Sequence, residues 1–314
     1  MPFPILGLHH VTATVNDAQP DLDFAADALG LRLVKKTVNF DNHHVFHFYY
    51  GNERGTPGTI WTTFPYAGKG VRVGTKGAGQ ITATSFSVPA ASLDFWQARL
   101  TERGLVVRER TPQFGEDALA VIDPSGLTME LIANDRDSRQ GWTRPDVPAE
   151  AAIRGVHSVS LTVRSAAETI RFMHEWLGFE IANEAEGRMR LSVNGEGPGK
   201  TVDIVYDPAA PPAMNGLGTV HHVAFAIERP EDQKRLREEL IRHGVNVTPV
   251  MDRQYFQSIY FREPGGVLLE VATVSPGFLI DEPLESLGAA VQLPPWEEPN
   301  RAEIEAGLPA IVHR

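Results

Sequence analysis

The sequence predicts an α+β fold: four βαβββ modules that form two barrel-like domains, with modules one and four paired. Three observations predict it. Four β-rich openings recur along the chain, a helical stretch ending on glycine follows each, and two modules close with the same turn and strand. The openings are Leu8-His9-His10-Val11-Thr12-Ala13-Thr14-Val15, Ile81-Thr82-Ala83-Thr84-Ser85-Phe86-Ser87-Val88, Val156-His157-Ser158-Val159-Ser160-Leu161-Thr162-Val163 and Val220-His221-His222-Val223-Ala224-Phe225-Ala226-Ile227. Each alternates in part, as a half-buried strand must.

The helical stretches are Asp21 to Leu29, Ala91 to Arg103, Ala166 to Leu177 and Pro230 to His243. They stop at Gly30, Gly104, Gly178 and Gly244, because glycine alone enters the left-handed conformation of a helix end without strain. Pro230 suits a first turn, where its missing N–H costs nothing. The matched endings are Asp123-Pro124-Ser125-Gly126 leading to Leu127-Thr128-Met129-Glu130-Leu131, and Glu263-Pro264-Gly265-Gly266 leading to Val267-Leu268-Leu269-Glu270-Val271.

Modules one and two are assigned to residues 1–135, and modules three and four to 153–274. The polar, proline-containing stretch Arg136 to Ala152 reads as a linker. Residues 275–314 read as a Pro-rich tail packed on the body, with a short helix from Pro299 to Ala306. Leu279, Leu284, Leu287, Trp296 and Leu308 are its apolar groups to bury.

Composition removes several function classes. The 314 residues are 42% hydrophobic and 22% charged, values of a globular protein with a sizeable core. A formal net charge of −11 argues against nucleic acid and against an anionic membrane surface. With no cysteine, disulfides, thiolate catalysis and Cys-bound metal centres are excluded. The stretch from Met1 to Leu8 lacks the basic and long apolar regions of a signal peptide, and no apolar run reaches the length of a membrane span. The expected compartment is the cytoplasm, and homo-oligomerisation stays open.

Aligning the modules aligns their metal-ligand residue types. His10 falls with Ala83, Ser158 and His222; Glu270 falls with Glu130. The corresponding strands of modules one and three, Thr62 to Phe64 and around Asp203, carry no glutamate. Pairing module one with two offers His10 and Glu130, and three with four offers His222 and Glu270, whereas pairing one with four collects two imidazoles and a carboxylate: His10, His222 and Glu270. That set is the facial triad of non-heme Fe(II) oxygenases, which leaves coordination positions open for substrate and O2; the same ligands suit Mn(II). A single histidine on a strand is ordinarily a hydrogen-bonded core or surface group. A His-His pair at equivalent places in two modules is the stronger signal. Glu130, without histidine partners, reads as a remnant of duplication. Asp41-Asn42-His43-His44 and His47 form another histidine-rich spot, read as a hairpin turn rather than a metal site.

Several motifs carry a family resemblance: Leu8-His9-His10-Val11-Thr12, Lys35-Lys36-Thr37-Val38-Asn39-Phe40-Asp41, His47-Phe48-Tyr49-Tyr50-Gly51, Gly218 to Phe225, Asp252 to Arg262, and Pro264-Gly265-Gly266 through Glu270. In these the chain resembles the ring-cleaving dioxygenases of the vicinal-oxygen-chelate, or glyoxalase-like, superfamily, and among them the hydroquinone 1,2-dioxygenases. The likeness extends over essentially the whole chain, tail included.

It implies a vicinal-oxygen-chelate fold pairing module one with four and two with three, with Fe(II) held by His10, His222 and Glu270. It implies a small aromatic substrate, a hydroquinone or catechol, and O2. By the same resemblance Arg253 and Tyr260 fall among polar active-site residues, and His9 and His221 beside the ligands. Tyr260 would hydrogen-bond a phenolate or act as acid, and Arg253 would hold an anionic oxygen. His9 and His221 would act behind the ligands or as acid and base, although strict strand alternation points each to the opposite face. Two other functions compete. One is glyoxalase-like isomerase or lyase chemistry, which normally uses a fourth protein ligand where Thr62 or Thr63 stands. The other is metal-free binding of an aromatic ligand.

Overall fold

A computed structural model describes residues 3–313, and for residues 109–112 the backbone alone. The four repeated units are present. The first contains β1 (Ile5–Val15), α1 (Ala18–Leu22), β2 (Arg32–Asn39), β3 (Asn42–Gly51) and β4 (Ile60–Pro65). The second contains β5 (Gln80–Val88), α2 (Leu93–Glu102), β6 (Val107–Gln113), β7 (Glu116–Ile122) and β8 (Thr128–Ala133). The third contains β9 (Gly155–Val163), α3 (Ala166–Leu177), β10 (Glu180–Ala185), β11 (Arg188–Ser192) and β12 (Thr201–Tyr206). The fourth contains β13 (Thr219–Ile227), α4 (Pro230–Arg242), β14 (Met251–Asp252), β15 (Gln257–Arg262) and β16 (Leu268–Thr273).

The helices follow the signals in the sequence, with one extension. The α3 helix spans the predicted residues and ends on Gly178 in the left-handed conformation, φ 71°. Pro230 opens α4, followed by acidic Glu231 and Asp232, which suit the positive end of the helix dipole. The first helix begins at Ala18, earlier than the expected Asp21, and continues as a π-helical turn over Asp23–Ala28. Pro20 sits within its first turn, where a proline costs no intrahelical hydrogen bond.

The strands form two eight-stranded sheets. One runs β14-β15-β16-β13-β1-β4-β3-β2 and the other β10-β11-β12-β9-β5-β8-β7-β6. The first sheet thus joins module one to module four, and the second joins two to three, as expected. Each is sewn at its centre by an antiparallel pair, β1 with β13 and β5 with β9. Alternation then divides each strand. Val11, Val159 and Phe225 enter one continuous apolar core with Trp61 and Phe86, while His10, Thr12 and His222 face the opposite way into a cavity. The linker helps to lock the modules: Arg99 donates to the backbone oxygens of Asp27 and Ala28 at 2.6 and 2.9 Å and to Asp146 Oδ2 at 2.8 Å. It thereby satisfies carbonyls at the end of the first helix, which otherwise lack partners.

The tail packs on module one and contains the short α5 (Arg301–Gly307). The groups it buries differ in part from those expected. Phe278, Leu287, Leu293 and Ile304 are buried, whereas Leu279 and Trp296 are 41% and 47% exposed. A tail without regular periodicity gives no sequence signal for which side faces the body. Its attachment includes a fully buried cation: Lys35 Nζ lies 2.6 Å from Asp281 Oδ1 and 2.5 Å from Glu282 Oε2. Tyr255 donates to Asp281 Oδ2 at 2.9 Å, so this ionic cluster also fixes the loop before β15.

Candidate metal centre

Three neighbouring strands deliver the triad: His10 from β1, His222 from β13 and Glu270 from β16. His10 Nε2 lies 3.3 Å from His222 Nε2 and 3.2 Å from Glu270 Oε2, and His222 Nε2 lies 2.8 Å from that same oxygen. Two donors bonded to one ion at about 2.1 Å and at right angles stand about 3 Å apart. All three residues are buried. Ser258 donates to Glu270 Oε1, while buried Oε2 has no hydrogen bond of acceptable geometry. A buried carboxylate oxygen without such a partner is costly unless a cation meets it. Two imidazoles and this carboxylate therefore fit one divalent transition-metal ion.

The electrostatics agree. Burial alone would raise the Glu270 pKa, yet His10 and His222 hold it well below the usual carboxylate range. Burial lowers His222 despite the attraction of Glu270, which favours the neutral imidazole that a metal requires.

His9 and His221 do not obey strand alternation. In the β1–β13 ladder Leu8 opposes Phe225 and His10 opposes Ala224, so His9 is an extra residue. Thr12 opposes His222 and Ala13 opposes Val220, so His221 is the extra residue on the other strand. Each is the inserted residue of a β-bulge, which re-aims a side chain. As a result His9 Nδ1 lies 2.9 Å from His10 Nδ1, and His221 Nδ1 lies 2.7 Å from His222 Nδ1. Burial first, and then the adjacent imidazole, pushes both outer histidines down to about 3, so each is neutral near pH 7. The second sheet repeats the irregularity at Thr82 and His157.

A cavity of about 480 Å³ opens in front of the triad, a size suited to a small aromatic ligand. Tyr49, Phe64 and Phe256 give it aromatic walls, and His47, His221, Arg253 and Tyr260 supply polar groups. Arg253 Nε donates to Tyr260 Oη at 3.3 Å, and Arg253 Nη1 lies 3.2 Å from the exposed carboxylate of Asp41. Burial raises the Tyr260 pKa, so the phenol keeps its proton. A larger groove of about 750 Å³ shares only Thr248, Tyr260 and Leu268 with this cavity. None of the triad lines that groove, so the smaller cavity is the candidate site.

Of the seven residues singled out in the sequence, His10, His221, His222, Arg253 and Tyr260 line the cavity, Glu270 meets His10 and His222 beneath it, and His9 stands behind His10 against Phe256, ring centroids 5.0 Å apart. The histidine-rich spot divides. His43 reaches toward Glu297 in the tail at 3.8 Å, whereas His47 lines the cavity. Thr12, Tyr49 and Phe256 line the cavity in addition to the residues the sequence singles out, and His47, named there only within a histidine-rich spot, joins them from β3. The two-residue spacing from His10 to Thr12, and from His47 to Tyr49, was the available signal. Thr62 and Thr63 lie outside the ligand group: Thr62 bonds to Thr12 at 2.9 Å and Thr63 to Asp21 at 2.5 Å. In the second sheet Ser85 donates to Glu130 Oε2 at 2.8 Å, and Ala83 and Ser158 occupy the places of the imidazoles.

The fold and site define a class. The sequence profile of the Glyoxalase/Bleomycin resistance protein/Dioxygenase superfamily matches residues 7–131 and 155–271, and the chain belongs to that superfamily. It is 41% identical over 305 residues to the Bacillus subtilis protein named "Putative ring-cleaving dioxygenase MhqE", covering 97% of this chain and 99% of that one. It is 38% identical over 312 residues to the chlorohydroquinone/hydroquinone 1,2-dioxygenase of Sphingobium indicum, covering 97% and 96%. A crystal structure described as a "putative dioxygenase" from Bacillus subtilis superposes with a TM-score of 0.93 at 38% identity, over 99% of both chains. Among the described residues no helix is long and apolar enough to cross a membrane.

Proposed function

We propose that the chain is a non-heme Fe(II) ring-cleaving dioxygenase that acts with O2 on a hydroquinone- or catechol-type aromatic, with Mn(II) as the alternative ion. The observation that carries this reading is the convergence of His10 Nε2, His222 Nε2 and Glu270 Oε2 within 2.8–3.3 Å at the floor of an aromatic-walled cavity. Three ligands on one side leave other positions free. The relatives named as ring-cleaving dioxygenases support it.

Bound there, Fe(II) supplies adjacent open positions and a route for electron density between the aromatic ring and O2. The rest falls to the protein. Phe64, Tyr49 and Phe256 receive the ring and exclude water. Arg253 places a positive charge beside the cavity, which favours an ionised phenol and later the carboxylate product. Tyr260 Oη accepts from Arg253, leaving its own proton for a substrate oxygen. His9 and His221 accept the Nδ1 protons of His10 and His222, which fixes each ligand imidazole with Nε2 free for the metal. His221 also lines the cavity, and with Nδ1 taken up by His222 its neutral imidazole carries its hydrogen on Nε2, a donor rather than a base.

The test is direct. Protein stripped of metal and reconstituted anaerobically with Fe(II) should consume O2 in step with hydroquinone and yield a ring-opened acid. Metal-loaded protein that takes up no O2 with any hydroquinone or catechol overturns the reading.

A further inference from the structure

A line of three hydroxyl and imidazole groups crosses the first sheet toward the triad. His47 on β3, Thr62 on β4 and Thr12 on β1 sit on three successive strands. Thr62 lies beside Thr12 in the parallel β1–β4 pairing, and Thr12 is two residues beyond His10 on the same face. Thr62 Oγ1 donates to Thr12 Oγ1 at 2.9 Å, and His47 Nε2 lies 2.9 Å from Thr62 Oγ1. Thr62 and Thr12 are 0% and 1% exposed.

The direction of these bonds follows from proton count. A hydroxyl has one proton, and that of Thr62 is given to Thr12. Thr62 can therefore only accept from His47, which requires the tautomer with hydrogen on Nε2. Thr12, already an acceptor, keeps its own proton, and no acceptor for it exists among the described residues. Thr12 lines the cavity. The His47 ring is held in place between Tyr49 and Phe64, with centroids 4.0 and 4.2 Å away.

We propose that His47 is a positioning residue: acting through Thr62, it makes the Thr12 hydroxyl a directed donor to an oxygen of the aromatic substrate beside the triad. This rests on the functional reading above. The relay fixes in advance a group that would otherwise rotate, so its donor role costs no reorganisation when substrate binds. It also gives a use to the Thr62 position, which carries no metal ligand in this chain.

The test combines a spectroscopic and a kinetic measurement. Imidazole ¹H–¹⁵N spectra of chelator-treated protein, with the His47 signals assigned by their loss in His47→Phe, report its tautomer. We expect hydrogen on Nε2 in the wild type and in Thr62→Ser, and loss of that defined state in Thr62→Val. With Fe(II) and hydroquinone, Thr62→Val and His47→Phe should lower kcat/KM about three- to tenfold, the worth of one hydrogen bond. Metal content should not change, and Thr62→Ser and His47→Gln should recover most of the loss. Hydrogen on Nδ1 in the wild type, or Thr62→Val equal to Thr62→Ser in either measurement, overturns the relay. A wild type that turns over no hydroquinone overturns the functional reading instead, and the tautomer then decides the relay by itself.

Discussion

The Nδ1 atoms of His221 and His222 stand 2.7 Å apart, a contact between sequence neighbours that a regular strand, with side chains on alternate faces, does not make. The bulge at His221 makes it possible, and the bulge at His9 repeats it on the partner strand. His10 and His222 thus each gain a backing imidazole from the residue before.

That geometry gives the first prediction. His221→Phe and His9→Phe should keep the fold and weaken metal affinity roughly 10- to 100-fold, the usual effect of losing the group behind a ligand histidine. His222→Ala should abolish tight binding. Competition titration against a chromophoric chelator measures both, and wild-type affinity in all three variants contradicts the assignment.

Tyr260 and Arg253 should separate from the ligands in their effects. Tyr260→Phe should retain full metal content and lower turnover by roughly 10²–10⁴-fold if its hydroxyl carries the proton. Arg253→Met should also retain metal and raise KM for the aromatic. Steady-state O2 uptake alongside metal analysis distinguishes them from Glu270→Gln, which should lose metal first.

Asp21 should make stability pH-dependent. Burial raises its pKa from 3.8 to about 7, against the hydrogen bonds from Thr63 and Tyr50. The unfolded chain releases this proton near 3.8 and the folded chain near 7, so the folded state holds more protons between those values. The contribution is full below 3.8 and is lost as pH rises to about 7. Thr63 and Tyr50 both donate to Oδ2, a bond pair that an amide oxygen can accept. Asp21→Asn should therefore remove the dependence and stabilise the protein at pH 8 by roughly 1–4 kcal/mol, at 1.36 kcal/mol per pKa unit. Thermal unfolding at pH 5 and pH 8 measures it; an unchanged difference between the two contradicts the account.

Lys35 should hold the tail. Lys35→Met leaves the carboxylates of Asp281 and Glu282 without their cation, and removing one partner of a buried pair costs roughly 3–5 kcal/mol. The variant should melt earlier and be cleaved by protease first beyond residue 275. Cleavage and melting like the wild type would show that the tail is held by its apolar contacts alone.

The sequence by itself determined the modules and the triad. Glycine stops, Pro230 and the two matched turn-strand endings are local signals, set by backbone sterics and by periodicity along one segment. They locate His10, His222 and Glu270 because equivalent strands of a repeat occupy equivalent places in the fold. Tertiary structure decided the rest. The bulges at His9 and His221 exist only in the register between β1 and β13, segments some two hundred residues apart in roughly alternating sequence. The role of His47 depends on β4 lying between β3 and β1, which no pattern within β3 records. The face that the tail turns inward depends on the surface it meets. Local conformational preference is written in adjacent residues, whereas the register and order of strands are fixed only when distant segments bury their apolar faces together.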